Sequence, residues 1–425
     1  MFSRSALTTA SLLVMLSACS SAGSSDAASP VGDAPGSGGA PATGTRDGGA
    51  TSAAGNTAGG TVLDLGNVAA GAPITFDVPA GTVGFTIVID ATVTSQDSLG
   101  VQELTDPKGA VVVSDFGDPS AKGRFMRGDN GTGLGVASIP LVNDHATTAV
   151  PKGRWTARLG GVTSAAKGSK GDSTPFSGQV HAVVQLQTSS DGTFHGGAID
   201  LDLYVPDGLR VENGAGDAHT ITAATAAADV DLQARLTLAF GLFHRLYGLA
   251  RGDVRYHAVA ASAATLASQA EIDAANQLAA SAVRARPAPQ VILTNRLSPD
   301  GDAGEISGLS NCLPGAVGVA GSKCSAVVVS LRAGSPAWQD ASTLVHEIGH
   351  FAGLDHTTQF GGDPDTLGDT PVCTDTTKSA LTSCPDKDNL MFPTVNLATD
   401  EPSITVSPSQ RAVFLASSLY RPLAR

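Results

Sequence analysis

Positions 346–356 read His-Glu-Ile-Gly-His-Phe-Ala-Gly-Leu-Asp-His, HEIGHFAGLDH, and the reading of this stretch decides the fold of the C-terminal half. On a helix His346 and His350 are offset by about 40° around the axis, so both imidazoles can face one metal ion. Glu347 lies beside that face. A tetrahedral catalytic site takes three protein ligands and keeps one position open, so two histidines do not complete it. Gly353 can adopt the left-handed conformation that ends a helix and reverses the chain. The turn brings His356 back as a third ligand. Leu344, Ile348 and Phe351 are spaced to pack the rest of the helix into a core, and Ser335-Pro336 predicts its start, with serine capping and proline at the first helical position. The other six histidines, at 145, 181, 195, 219, 244 and 257, show no ligand spacing.

The complete pattern HExxHxxGxxH resembles the signature of the metzincin clan of zinc endopeptidases. That resemblance implies Zn2+ held by His346, His350 and His356, with Glu347 as a general base that does not ligate the metal. It also implies a methionine in a tight turn beneath the metal, and DNLMFPT, residues 388–394, is similar to that Met-turn, with Met391 as an apolar floor. GGDPDTLGDTPVC (361–373) and Ser407-Pro408-Ser409-Gln410 are similar to the pappalysin/ulilysin branch. The likeness covers residues 197–425 in layout, and its specific motifs all lie after residue 340. One departure is Pro393, where that branch usually carries a tyrosine, so a tyrosine role in the transition state is not carried over. The same resemblance implies Ca2+ among Asp363, Asp365 and Asp369, near Asp386 and Asp388; solvated loop acids are the alternative.

Upstream of the motif, GAIDLDLYVPDGL (197–209) reads as a strand with Leu201, Leu203 and Val205 on one face. A proline-free stretch from Thr220 to Tyr247 places Leu232, Leu236, Phe240, Phe243 and Leu246 on one helical face. Strand patterns recur at VRYHAVAA, QVILTNRL and SAVVVSL. This order predicts an α/β (α+β) metzincin-like domain over 196–425. SAVVVSL is expected to offer an edge on which an extended peptide docks through main-chain hydrogen bonds. Four cysteines fall in this region, at 312, 324, 373 and 384, with no CxxC pair. An even number in an exported chain predicts two disulfides, and sequence proximity favours Cys312–Cys324 and Cys373–Cys384.

From Thr61 to about Leu186 short alternating runs such as PITFDV, VGFTIVIDATV and GRWTARL are separated by Gly, Pro, Asp and Asn clusters. They predict an all-β sandwich domain over 61–190, either a binding module or a spacer.

The N-terminus, MFSRSALTTASLLVMLSAC, has one arginine, a short apolar stretch and then small residues. It is far short of the roughly 20 apolar residues of a spanning helix. Leu16-Ser17-Ala18-Cys19 resembles a bacterial lipobox, which implies a signal peptide over 1–18 and lipidation at Cys19; an ordinary secretory signal is the alternative. Residues 19–60 are almost all Ser, Gly, Ala, Thr, Pro and Asp, a tether with a typical reach of about 35 Å. The expected location is exported and lipid-anchored, at a bacterial outer membrane or cell surface.

Lysine and arginine total 26 against 39 aspartates and glutamates, a formal charge of −13. Such a chain disfavours a phosphate backbone, so nucleic acid is not an expected partner. The expected partners are protein or peptide substrates, and the membrane through its anchor. Two functions compete: a zinc-dependent endopeptidase of extracellular proteins, and a catalytically silent adhesive lipoprotein that retains the zinc fold. Glu347 favours the first, since a retired enzyme has no structural need for a carboxylate that binds no metal.

Overall fold

The computed structural model describes residues 61–423 except 95–96, 114–126, 129–133, 141–149, 164–173, 214, 280–287, 300–304, 316, 319–321, 359–366, 372, 374–382 and 395–402. The leader, Cys19 and the tether lie outside the described residues. Among those described, no helix is long and apolar enough to cross a membrane.

The chain begins with strands β1 (Thr61–Ala69), β2 (Pro73–Val78), β3 (Thr82–Asp90), β4 (Asp97–Thr105), β5 (Val111–Val113), β6 (Arg127–Gly128), β7 (Leu134–Ile139), β8 (Gly153–Thr163), β9 (Thr174–Pro175) and β10 (Gln179–Thr188). They form two antiparallel sheets, β1-β10-β3-β7-β6 and β2-β8-β4-β5, with β9 on β8. The alternation seen in the sequence sends Phe76, Phe85, Ile87, Ile89, Leu104, Trp155 and Leu159 into one shared core. There the rings of Phe85 and Trp155 meet edge to face at 5.1 Å, and the Trp155 indole donates to the Pro151 carbonyl at 3.0 Å, so its one polar atom is satisfied.

The second half adds β11 (Gly197–Pro206), β12 (Leu209–Glu212), β13 (Ala218–Ile221), α1 (Ala223–Ala226), α2 (Val230–Tyr247), β14 (Leu249–Val259), β15 (Thr265–Leu266), α3 (Gln269–Ala279), β16 (Gln290–Thr294), β17 (Arg296–Leu297), β18 (Gly308–Ser310), β19 (Val327–Ser330), α4 (Ala337–Ala352), α5 (Pro408–Ala416) and β20 (Arg421–Pro422). The result is a mixed α and β architecture. The main sheet runs β14-β11-β16-β19-β18, parallel throughout except for β18, with β20 also antiparallel on β11. Alternate residues feed opposite faces, as the two-residue period of a strand requires. Leu201, Leu203, Val291 and Val329 meet α2 and α4 on one side. Tyr204, Ile292 and Val328 meet α3 on the other.

Two local expectations change. The proline-free stretch is the end of β13 and two helices, because Asp229 adopts extended backbone and caps α2 by accepting from the Leu232 N–H at 2.8 Å. Helix α4 starts one residue late, with Pro336 itself as the capping position, while the Ser335 hydroxyl bonds Gln339 at 3.1 Å.

The two halves touch through an unusual sheet face. Strand β3 is buried on both sides. Its outward Val88, with Val136 of β7, packs against the Cys312–Cys324 disulfide. Beside them Gln185 donates to the Val317 carbonyl at 2.6 Å and Gln187 to the carbonyls of Ser417 and Tyr420 at 2.8 and 3.1 Å. Ser418 closes the contact by donating to Gln185. These amides satisfy backbone oxygens that would otherwise be buried without donors.

Candidate metal centre

Every residue from Gln339 to Ala352 of α4 is buried, so its polar and its apolar faces are both enclosed. Gly349 is what allows its closest approach, because a Cβ there would stand 2.7 Å from the sulfur of Met391. Met391 is fully buried. Gly353 ends the helix in the left-handed region at φ 107°, and its N–H reaches the carbonyls of Gly349 and His350.

That turn converges the three histidines. His346 Nε2 lies 3.2 Å and His350 Nε2 3.1 Å from His356 Nε2. The opposite ring nitrogens are held by backbone: His346 Nδ1 sits 2.6 Å from the Leu390 carbonyl and His350 Nδ1 2.7 Å from the Leu354 carbonyl. A carbonyl can only accept, so both Nδ1 atoms carry the proton and both Nε2 atoms present lone pairs. His356 Nε2 can offer a proton to at most one of them, which leaves at least one pair of lone pairs face to face. A cation bound by all three nitrogens resolves the conflict, and the donor set therefore fits a metal ion. Burial lowers the His346 pKa to about 3, helped by neighbouring His356, and holds His350 well below its ordinary range. Neutral imidazole is the form that ligates.

Glu347 is buried beside this cluster. Burial pushes its carboxyl well above the ordinary glutamate range, and a hydrogen bond from the Ser310 N–H works in the opposite direction. Ser310 and Gly308 belong to β18, which forms the edge of the main sheet among the described residues. The expected edge, SAVVVSL, contains β19, and β19 is internal between β16 and β18. Three residues containing a glycine give no periodic strand signal, which is why the real edge was not legible in the sequence.

The disulfides are Cys312–Cys324 and Cys373–Cys384, as proximity predicts. Their formation removes Cys373 and Cys384 as ligands, although both sulfurs lie near the Asp386 carboxylate. Of the acids considered for calcium, Asp363 and Asp365 lie outside the described residues. Asp369 is engaged at α5 through both oxygens, accepting from the Ser407 hydroxyl and the Ser409 N–H, each at 2.9 Å. Asp386 accepts from Thr358 at 2.6 Å.

Sequence reasoning missed the two carbonyl partners, Leu390 and Leu354, and the β18 contacts to Glu347. The Ser407/Gln410 spacing, read above only as a resemblance, is a capping-box signal from which the start of the helix that supports the Met391 turn could have been found.

No family model matches the chain, and no curated protein matches it. Among solved structures, metalloproteinase-II from Bacteroides fragilis is similar over 55% of this chain and 62% of its own, at 11% identity and a TM-score of 0.29. The chain thus spans less than two thirds of that protein, and a likeness this slight carries no argument about fold or chemistry.

Proposed function

We propose that this chain is a zinc-dependent endopeptidase of metzincin type, acting on extracellular proteins, with the paired N-terminal sheets as an accessory sandwich domain. The observation that carries the reading is the convergence of three imidazole nitrogens, from His346, His350 and His356, next to the buried Glu347 of the same helix. His346, His350 and His356 would hold the ion, which when bound supplies Lewis-acid activation of water and of the scissile carbonyl. Glu347 takes the proton from the attacking water and delivers it to the leaving nitrogen. An extended peptide docks along β18, the last strand of the described sheet, where the Ser310 N–H is already engaged by Glu347. Cys19 carries the lipid that holds the chain at the membrane, and the tether keeps the enzyme clear of the headgroups.

Glu347→Gln is the deciding variant. It preserves size and the three histidines, so zinc content should persist while peptide hydrolysis falls by about 10²–10⁴. His356→Ala should lose zinc as well as activity, because three ligands become two. A mixed peptide library digested by the soluble form, with cleavage sites read by mass spectrometry, supplies the assay. Equal cleavage by wild type and the zinc-loaded glutamine variant would falsify the mechanism. No cleavage by either, with retained binding to a surface partner, would establish the adhesive alternative.

A further inference from the structure

Gln410 lies on α5, more than fifty residues beyond the last histidine, and its side chain is completely buried. Its Oε1 accepts from the Ser407 N–H at 2.8 Å, the ordinary capping-box contact. The same amide does something a cap does not require: it pairs with Asn389, accepting from Asn389 Nδ2 at 2.9 Å and donating from Nε2 to Asn389 Oδ1 at 3.1 Å. Asn389 Oδ1 also accepts from the Met391 N–H at 2.8 Å. The Asn389 amide is thereby fixed in one orientation. Two carbonyls of the turn it braces reach the histidines: Leu390 O holds His346 Nδ1 at 2.6 Å, and Met391 O accepts from the Thr357 N–H at 3.1 Å, one residue past His356.

We infer that Gln410 is a positioning residue of the metal centre, which through Asn389 sets the turn that orients His346 and seats the His356 loop. The inference rests on the reading of the three histidines as metal ligands. Partners that orient ligating histidines typically contribute about 10–100-fold in metal affinity.

Glutamate at position 410 separates this role from capping. A carboxylate caps Ser407 as well as an amide does, since both residues serve in capping boxes, yet in its ionised form it has no proton to give Asn389 Oδ1, whereas the protonated acid would mimic the amide. Flipping the Asn389 amide to suit it would turn an NH2 group toward the Met391 N–H.

The test is the zinc dissociation constant of the intact soluble chain, measured by competition with a chromophoric chelator, together with the absorption spectrum of its cobalt form. Gln410→Glu should bind zinc about 10–100-fold more weakly and shift the cobalt bands. Gln410→Leu should do so at least as strongly, and if it does not fold the glutamate variant decides alone. Val413→Ala, which opens a cavity in the same helix but removes no hydrogen bond of the amide pair, should lower the melting temperature while keeping affinity and spectrum. Unchanged affinity and spectrum in Gln410→Glu, persisting as the pH is raised to about 9 so that the carboxyl ionises, overturn the inference by themselves, as does an equal loss in Val413→Ala. A wild type that takes up no zinc overturns the metal-centre reading and this inference with it.

Discussion

Gly308 is bare where Glu347 lies: a Cβ on Gly308 would stand 2.5 Å from Glu347 Oε1 and 2.6 Å from its Cγ. The edge strand and the carboxylate therefore share one space, and Glu347 is packed against the Gly308 backbone. Because Ser310 N–H bonds the same carboxylate, β18 both shapes and orients it. Gly308→Ala should push Glu347 aside while leaving the histidines in place. Turnover should drop by about 10²-fold, the scale expected for a displacement of about 1 Å, with zinc content unchanged by metal analysis. Loss of zinc in this variant would show that Gly308 supports the fold instead.

Arg235 of α2 and Asp340 of α4 form a buried ion pair at 2.7 Å. Burial pushes the Asp340 carboxyl up to about 6, with Arg235 only partly offsetting it. Asp340→Ala strands a buried guanidinium and should cost about 3–5 kcal/mol. The double variant Arg235→Met with Asp340→Leu should recover much of that loss. Denaturant unfolding of both variants checks the pair, and equal destabilisation in the two would mean that packing, not charge, holds α2 to α4.

Asp369 predicts a pH dependence. Burial alone would raise its carboxyl, and the bonds from Ser409 and Ser407 overcome that, so it lies below the ordinary aspartate value. A depressed folded pKa means that its stabilisation is complete above the unfolded value of about 3.9 and is lost as pH falls through the folded one. Asp369→Asn should therefore lower the melting temperature at pH 6, and the gap to wild type should close as pH falls below about 4. A gap that stays constant with pH would show that the charge is irrelevant at this cap.

Gln187 joins the first sheet to the C-terminal segment through two carbonyls. Gln187→Ala leaves both short of a donor in a buried contact and should cost about 1–3 kcal/mol. The expected readout is faster hydrogen exchange at β20 and at the end of α5 than in wild type. Unaltered exchange there would mean that the Gln185 bonds and the Val88 and Val136 contacts hold the halves without Gln187.

The residues that a single turn of helix or one tight loop can bring together were legible in the sequence. His346 and His350 share a face because of the helical period. His356 reaches them because Gly353 can turn left-handed, which the structure shows at φ 107°. The short disulfide loops and the strands whose side chains alternate were legible for the same reason, since each depends on neighbours within a dozen residues. The partners of the site were not. Leu390 and Leu354 act through carbonyl oxygens, which every residue carries, so no side-chain pattern marks them. β18 is an edge only because β19 pairs with it and with β16, a choice made between segments far apart in the chain. Gln410 meets Asn389 only after α5 packs beneath the turn. Local geometry brought the three histidines together, and long-range packing chose the groups that aim them.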